Sequence, residues 1–364
     1  MRALVLALAL ALAAAAPASA DRKVPGGWLG VQADGPVVDA PAAFEGEWDQ
    51  MAGAGVETVR LTFLWRTAQP AAGPIDFAAT DGLVLSAARR HLEVLPNVWA
   101  TPDWAAERPG DAASPPRDRA AYGRFLGALI GRYGPSGSLW AEHPDVPRSP
   151  IRAWQIWNEP TMTRYWSRQP FAKSYVALLR AAYAAVRRAD PRARVVLAGL
   201  PNESWTALDS IYRAGGRGHF DAVALHPYTG KPRNVVRLVE LARAVMARHR
   251  DRRTPVWVTE LSWPAALGKV SQTHGFETTD RGQAARLAQG LNRLVDARRR
   301  LRIGKVIWYT WLSIEGGENS FAWSGLRRLR GSELISAPAL AVFRAAARRL
   351  EGCAKPAGDA SRCA

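Results

Sequence analysis

The chain has 364 residues, a formal net charge of +17 and 48% hydrophobic residues, which is enough apolar material for a large core. Its arginines are spread along helical patterns rather than interleaved with aromatic residues, which argues against a nucleic-acid-binding module. The two cysteines, Cys353 and Cys363, both lie in the C-terminal tail, so they exclude thiol chemistry in the body of the chain. We expect them to form a disulfide in an exported protein, with two free thiols as the alternative.

The first 20 residues have the pattern of a secretory signal peptide. Arg2 precedes an apolar run at 3–16, and the small residues at 18–20 suit a cleavage site. The apolar run is short for a membrane span, although an uncleaved anchor is the alternative. We therefore expect a secreted or cell-envelope protein that is cleaved near Ala20 and has no membrane span in its mature part.

Eight apolar, β-rich runs alternate with longer amphipathic segments. The predicted strands are 28–32, 57–63, 93–99, 151–157, 194–198, 222–226, 256–260 and 305–311. The predicted helices are 45–54, 81–90, 118–133, 172–189, 204–214, 235–248, 281–300 and 338–350. Apolar strands joined by helices of this length are typical of a parallel sheet that is buried on both faces. The pattern predicts an α/β fold, a single (β/α)₈ TIM barrel over 21–350, followed by a tail at 351–364.

A Rossmann-like sheet is the alternative arrangement of these elements. It would need a glycine-rich phosphate-binding turn after the first strand, and Gly30-Val31-Gln32-Ala33-Asp34-Gly35 does not have the G-x-G-x-x-G spacing. The sequence also contains no H-E-x-x-H motif and no clustered histidine pair. We therefore expect neither a cofactor nor a catalytic metal.

Two glutamates follow predicted strands. In a (β/α)₈ barrel, reactive residues gather at the C-terminal ends of the strands. The fourth strand runs into Trp157-Asn158-Glu159-Pro160, and the seventh ends at Glu260. Two carboxyls that face each other across a barrel mouth can cleave a glycosidic bond, because one protonates the leaving oxygen while the other attacks the anomeric carbon. We predict that Glu159 is the acid/base and Glu260 the nucleophile; two ordinary carboxylates paired with arginines are the alternative.

The motif Asn158-Glu159-Pro160 resembles the signature of clan A glycoside hydrolases. These are retaining (β/α)₈ enzymes with the acid/base after strand four and the nucleophile after strand seven. Arg60 on strand two and His226-Pro227-Tyr228 after strand six match the same pattern. The resemblance covers nearly the whole mature chain, is nearest to families 39 and 5, and includes segments 65–77, 101–104, 175–198 and 307–311.

The resemblance implies roles for further residues. It implies that Arg60 and Tyr228 contact the nucleophile, that Asn158 donates to the sugar 2-hydroxyl, and that His226 bonds the sugar or Glu159. A loop-capping Asn158 and a core His226 are the structural alternatives. Tryptophan faces suit sugar rings, and the candidates on the top face are Trp104, Trp166, Trp311 and Trp323. Trp28, Trp154 and Trp257 lie inside strands and are expected in the core.

These observations predict a secreted, retaining β-glycoside hydrolase that acts on a poly- or oligosaccharide. We expect a monomer with no nucleic-acid partner, and the basic charge is a weak indication of an anionic envelope polymer as substrate. A cell-envelope transglycosylase would share the same residues and differ in how its acceptor site excludes water. A non-catalytic carbohydrate-binding barrel is the other alternative.

Overall fold

The computed structural model describes residues 22–351, so the expected signal peptide and the two cysteines lie outside the described residues. Eight parallel strands form the predicted barrel, in the order β5-β4-β3-β2-β1-β8-β7-β6. They are β1 (Leu29–Gln32), β2 (Thr58–Leu64), β3 (Glu93–Trp99), β4 (Ala153–Ile156), β5 (Arg194–Val196), β6 (Val223–Leu225), β7 (Val256–Val258) and β8 (Ile303–Trp308). A parallel bridge between Val196 and Ala222 brings β5 beside the start of β6, which closes the ring.

Helices cover the outside of the barrel, as predicted. The eight long ones are Gly46–Gly53, Ala78–Arg89, Arg119–Tyr133, Ala172–Ala189, Ser204–Arg213, Pro232–Arg248, Asp280–Leu301 and Pro338–Glu351. Short helical segments occupy Pro36–Asp39, Trp65–Ala68 and Ser138–Glu142. Side-chain caps begin two of the long helices, because Asp118 accepts from Ala120 N at 2.8 Å and Thr279 accepts from Gly282 N at 3.1 Å. Within residues 22–351, none of these helices combines the length and the apolar character that crossing a bilayer requires.

The core has two parts. The larger part fills the space between sheet and helices, where Trp28 and Trp154 are fully buried. The smaller part lies inside the barrel and contains Leu95, Val196, Ala222, Ala224 and Trp257. A Cβ on Gly304 would lie 2.5 Å from Nε1 of Trp257, so this glycine makes room for the indole. The expected core positions of Trp28, Trp154 and Trp257 are thus confirmed.

The segment after β8 carries a second, smaller sheet that the sequence pattern did not predict. Its strands are β9 (Leu312–Ile314), β10 (Arg327–Arg330) and β11 (Glu333–Ser336), with a 3₁₀ turn at Ser320–Trp323. Arg327 pairs with the buried Glu47 at 2.9 Å, which ties this sheet to the first long helix. Because β10 is mostly arginine, it lacks the apolar alternation by which a half-buried strand is recognised.

Candidate active site

Polar side chains replace apolar ones inside the top of the barrel. Arg60, on β2, is 1% exposed and lies at their centre. Its Nε donates to Gln155 Oε1 at 2.7 Å, and its Nη1 donates to Gln32 Oε1 at 2.6 Å. With its amide oriented so that both of its groups are bonded, Asn97 accepts from Arg60 Nη2 at 3.1 Å. A buried guanidinium needs such partners, and Gln32, Asn97 and Gln155 are site residues that sequence reasoning missed.

The turn after β4 is strained. Trp157 and Glu159 have φ values of 75° and 38°, in the left-handed region that non-glycine residues rarely adopt. Neighbouring strands hold the turn, because Trp157 N donates to Val98 O at 3.0 Å and Glu159 N donates to Gly199 O at 3.1 Å. This backbone places the side chains of Asn158 and Glu159 at the mouth of the barrel.

Glu159 is 5% exposed and lies between His226 and Arg164. Its Oε1 lies 2.8 Å from His226 Nδ1, and its Oε2 lies 3.6 Å from Nη2 of Arg164. Burial raises the pKa of Glu159, whereas the hydrogen bond from His226 and the charges of Arg164 and Arg60 lower it. The net result is a pKa below the usual value for glutamic acid.

Glu260 follows β7 and is 8% exposed. Arg60 Nη1 donates to its Oε1 at 2.8 Å, and the Tyr228 hydroxyl donates to its Oε2 at 2.8 Å. Burial and the nearby charge of Glu260 raise the pKa of Tyr228 well above its usual value, so the tyrosine keeps its proton and remains a donor. Arg60, Tyr228 and Glu260 therefore meet as the resemblance implied.

His226 lies between the two glutamates and is fully buried. Its Nδ1 is 2.8 Å from Glu159 Oε1 and 3.4 Å from Glu260 Oε2, while its Nε2 is 3.1 Å from Thr259 Oγ1. Gln155 Nε2 donates to the same Thr259 oxygen at 3.4 Å, which leaves the threonine proton for Nε2 of the imidazole. This chain of donors assigns the imidazole proton to Nδ1, facing the carboxylates.

One oxygen from each glutamate and one ring nitrogen of His226 all lie within 4.8 Å of one another. A metal ion could in principle use such a group. It would have to displace the proton on His226 Nδ1 and lie beside the cation of Arg60, which makes the cluster better suited to proton transfer than to metal binding.

Asn158 also joins this cluster. The residue is 6% exposed, and its Oδ1 accepts from Arg60 Nη2 at 3.1 Å. Because the oxygen is directed at the guanidinium, the amide N–H is the group that can donate to a substrate.

Two of the predicted sugar platforms are wrong. Trp311 is fully buried, and its indole donates to Glu47 Oε2 at 2.8 Å. Trp166 is also fully buried, donates to Ser174 Oγ at 2.9 Å and packs edge-on against Trp157. Because both rings are fully buried, neither presents a face to the cleft. The sequence did not distinguish them from sugar platforms, since a tryptophan near a strand end can serve either purpose. Trp104 and Trp323 are partly exposed and stay predictions.

Two partly exposed aromatic residues near Glu159 were not predicted. Trp99 ends β3, and its ring centroid lies 5.3 Å from that of Tyr165, with the planes at 80°. Arg164 stacks on the Tyr165 ring and lies 3.6 Å from Glu159 Oε2, so this ring is near that carboxylate. Burial and the charge of Glu159 raise the pKa of Tyr165 to about 12. Trp99 ends a predicted strand, so the strand-end rule could have identified it.

Comparison with solved structures finds similar barrels among glycoside hydrolases. A family 39 glycoside hydrolase from Bacteroides cellulosilyticus matches with TM-score 0.67 and 19% identity over 90% of this chain, which spans 64% of that protein's chain. GH5_18 from Streptomyces cattleya in complex with GlcNAc matches with TM-score 0.65 and 18% identity, covering 93% of this chain and 82% of its own. A monomeric β-xylosidase from Caulobacter crescentus matches with TM-score 0.60 and 15% identity, covering 90% and 69%.

These similarities are at the level of the fold. No family profile and no curated protein matches the sequence. The chain therefore has the (β/α)₈ fold seen in glycoside hydrolase structures, and the predicted resemblance to the family 39 and family 5 neighbourhood is confirmed for that fold.

Proposed function

We propose that this protein is a retaining β-glycoside hydrolase that cleaves O-glycosidic bonds of a poly- or oligosaccharide. One observation carries the proposal: oxygens of Glu159 and Glu260 lie within 4.8 Å of each other at the barrel mouth. Retaining enzymes hold their two carboxyl groups about 5–5.5 Å apart, whereas inverting enzymes need about 6.5–9.5 Å to admit a water. The short spacing favours attack on the sugar by a carboxylate.

In the first step, Glu260 attacks the anomeric carbon while Glu159 gives its proton to the leaving oxygen. An ester forms between Glu260 and the sugar, and the leaving group departs as an alcohol. Arg60 and Tyr228 donate to the two oxygens of Glu260, which orients the carboxylate for attack. Substrate in the cleft excludes water, and this desolvation raises the pKa of Glu159 towards the protonated form that the step requires.

In the second step, Glu159 removes a proton from water, which attacks the anomeric carbon and releases Glu260. The sugar leaves with net retention of configuration. The lowered pKa of Glu159 suits this half of the reaction, in which it must act as a base. Because the ester carries no charge, the Nδ1 proton of His226 is then directed at Glu159 alone.

Replacement of the nucleophile tests the mechanism. Glu260→Ala should lower kcat/KM for dinitrophenyl β-glycosides on the order of 10⁴-fold or more. Azide should restore turnover and yield the inverted, α-configured glycosyl azide, because it occupies the space of the lost carboxylate. In Glu159→Ala, azide should instead attack the glycosyl-enzyme and yield the β-azide.

Glu318→Ala is the matched control, since it removes an exposed carboxylate of the loop between β9 and β10 and should leave turnover unchanged. Normal turnover by Glu260→Ala, or an inverted product from the wild-type protein, would contradict the proposal. Product analysis at high acceptor concentration separates hydrolysis from transglycosylation.

We also propose that the protein is exported, on the strength of the N-terminal pattern at 1–20. N-terminal sequencing of protein recovered outside the cytoplasm should begin at or near Asp21. Recovery of the intact N-terminus in the cytoplasmic fraction alone would contradict export.

A further inference from the structure

Beside Glu260 the cleft contains a third carboxyl, which the double displacement does not use. Asp34 follows β1, which pairs with β8, and β8 pairs with β7, the strand that precedes Glu260. Glu159 follows β4, on the other side of the barrel. Asp34 therefore lies on the side of the nucleophile, and the charges of Glu260 and Arg60 both act on its pKa.

Two hydroxyl groups hold Asp34 in place. Thr310 Oγ1 lies 2.5 Å from Asp34 Oδ1 and 2.8 Å from the carbonyl oxygen of Gln32, and the Tyr309 side chain also bonds to Asp34. A hydroxyl has one proton, so Thr310 cannot donate to both oxygens at once. If Thr310 donates to Gln32, it accepts from Asp34, which then must be protonated.

The surroundings of Asp34 bring its pKa into the pH range of ordinary enzyme assays. Burial raises its pKa to about 6, although the hydroxyls of Thr310 and Tyr309 act in the opposite direction. The residue is nevertheless partly exposed at the barrel mouth. A partly exposed carboxyl with a shifted pKa in a cleft is typical of a group that meets a ligand.

We propose that Asp34 binds hydroxyl groups of the sugar on the nucleophile's side of the scissile bond and restricts that sugar to an uncharged one, excluding uronic acids. The proposal rests on the proposed function and narrows its substrate class. A carboxyl can accept from one sugar hydroxyl and, when protonated, donate to another, so it suits a neutral ring in either state.

A uronic acid would find no donor at Arg60. The five N–H groups of this guanidinium are used by Gln155, Gln32, Glu260, Asn158 and Asn97. A further carboxylate would therefore meet the charges of Glu260 and Asp34 in a partly buried cleft, and like charges there oppose binding strongly.

On the leaving-group side of the cleft, next to Glu159, the nearby charge is positive rather than negative. Arg164 lies at the rim, and its Nη2 is 3.6 Å from Glu159 Oε2, the oxygen that does not contact His226. Its side chain is 57% exposed and stacks on Tyr165, with its guanidinium carbon 4.9 Å from the ring centroid. An acidic sugar in the polymer would therefore be accommodated on this side of the bond, while the cleaved bond belongs to a neutral sugar.

The test compares dinitrophenyl β-glycosides of neutral sugars with the β-glucuronide, between pH 5 and pH 8. Asp34→Asn is the variant, and Asp145→Asn, an exposed carboxylate before β4 at the opposite end of the barrel, is the matched control. In the wild type, kcat/KM should favour the best neutral glycoside by about 100-fold or more at pH 7, because like-charge contacts discriminate strongly. The ratio should rise with pH as Asp34 ionises.

In Asp34→Asn the ratio should fall by about tenfold or more and lose its pH dependence, because the charge that opposes the uronate is gone. A merely structural role would lower both activities equally and leave the pH dependence in place. A wild type that prefers the glucuronide, or an Asp34→Asn variant with an unchanged ratio, overturns the proposal.

If the wild type hydrolyses none of these glycosides, the proposed hydrolysis fails, and the role of Asp34 is decided by binding. Saturation-transfer NMR would then compare glucose, xylose and mannose with glucuronate on both proteins. A preference for a neutral sugar that Asp34→Asn removes supports the assignment. The absence of such a preference overturns it.

Discussion

Gly199 lies so close to His226 that a Cβ atom built on the glycine would be 2.0 Å from Nε2 of the imidazole. The imidazole cannot give way, because it is fully buried and contacts Glu159 through Nδ1 and Thr259 through Nε2. The strand-end segment after β5 therefore determines the position of a side chain that follows β6.

Gly199→Ala should displace the imidazole and disturb both of its contacts. We expect a loss of about 1–3 kcal/mol in the free energy of unfolding from overpacking, and a fall in kcat that exceeds any change in KM. Gly127→Ala is the control, since no atom lies within 4 Å of its added Cβ and alanine favours its helix. Urea denaturation and steady-state kinetics measure the two effects; a fully active Gly199→Ala enzyme would contradict the close approach.

His226→Phe removes the hydrogen bond that lowers the pKa of Glu159, while burial, which raises it, remains. The pKa of Glu159 should therefore rise. If Glu159 is the general acid, the alkaline limb of the pH profile of kcat/KM should move to higher pH, together with a fall in kcat. His249→Phe, which removes a histidine paired with Asp209 far from the cleft, should leave the limb in place. If the alkaline limb of His226→Phe stays at the wild-type pH, the assignment of Glu159 as the general acid is contradicted.

Arg164→Gln should also raise the pKa of Glu159, because it removes a nearby positive charge. The effect should be smaller than that of His226→Phe, since the guanidinium is 57% exposed and screened by water. It should shrink further in about 1 M salt, where the screening length is only about 3 Å. Arg168→Gln, on the same loop but paired with Glu107, provides the control. A shift that is independent of salt would contradict a purely electrostatic role.

Asp34 should make stability depend on pH in a direction opposite to that of most carboxylates. Its pKa is about 6 in the folded protein against 3.8 as the ordinary value, so between these pH values the folded state holds a proton that the unfolded state has lost. The stability that Asp34 contributes is present below pH 4 and is lost as pH rises through 6. Relative to Asp34→Asn, the wild type should lose about 2–3 kcal/mol between pH 4 and pH 7. Urea denaturation at several pH values measures this difference, and a constant difference would contradict the raised pKa.

The barrel could be predicted because its strands are short apolar runs and its helices have one apolar face. The segments Glu93–Trp99 and Ala172–Ala189 have the predicted bounds, and the bounds of the other predicted elements differ by one to three residues. The sheet of β9, β10 and β11 could not be predicted in this way. Its arginines form ion pairs with Glu47, Asp280 and Glu315, and such pairings depend on the folded arrangement.

The rule that reactive residues follow barrel strands identified Glu159 and Glu260, and the resemblance added Arg60, His226 and Tyr228. The same rule applies to Asp34, two residues beyond β1, but no recognised motif contains it. The predictions for Trp166 and Trp311 failed for another reason. Whether Trp311 is a sugar platform or a buried donor to Glu47 depends on how the helix Gly46–Gly53 packs, and composition does not report this.

One guanidinium joins residues of three other strands and of the segment after β7, since Arg60 contacts Gln32, Asn97, Gln155 and Glu260. We call Arg60 and these four partners the guanidinium layer. A substitution at any of these positions would break more than one hydrogen bond, so few single substitutions in the layer should preserve turnover. Changes of sugar preference should instead accumulate at Asp34, Arg164 and other mouth residues whose bonds are fewer. Directed evolution that randomises the mouth and leaves the guanidinium layer intact should therefore return far more active variants than a library of the layer itself.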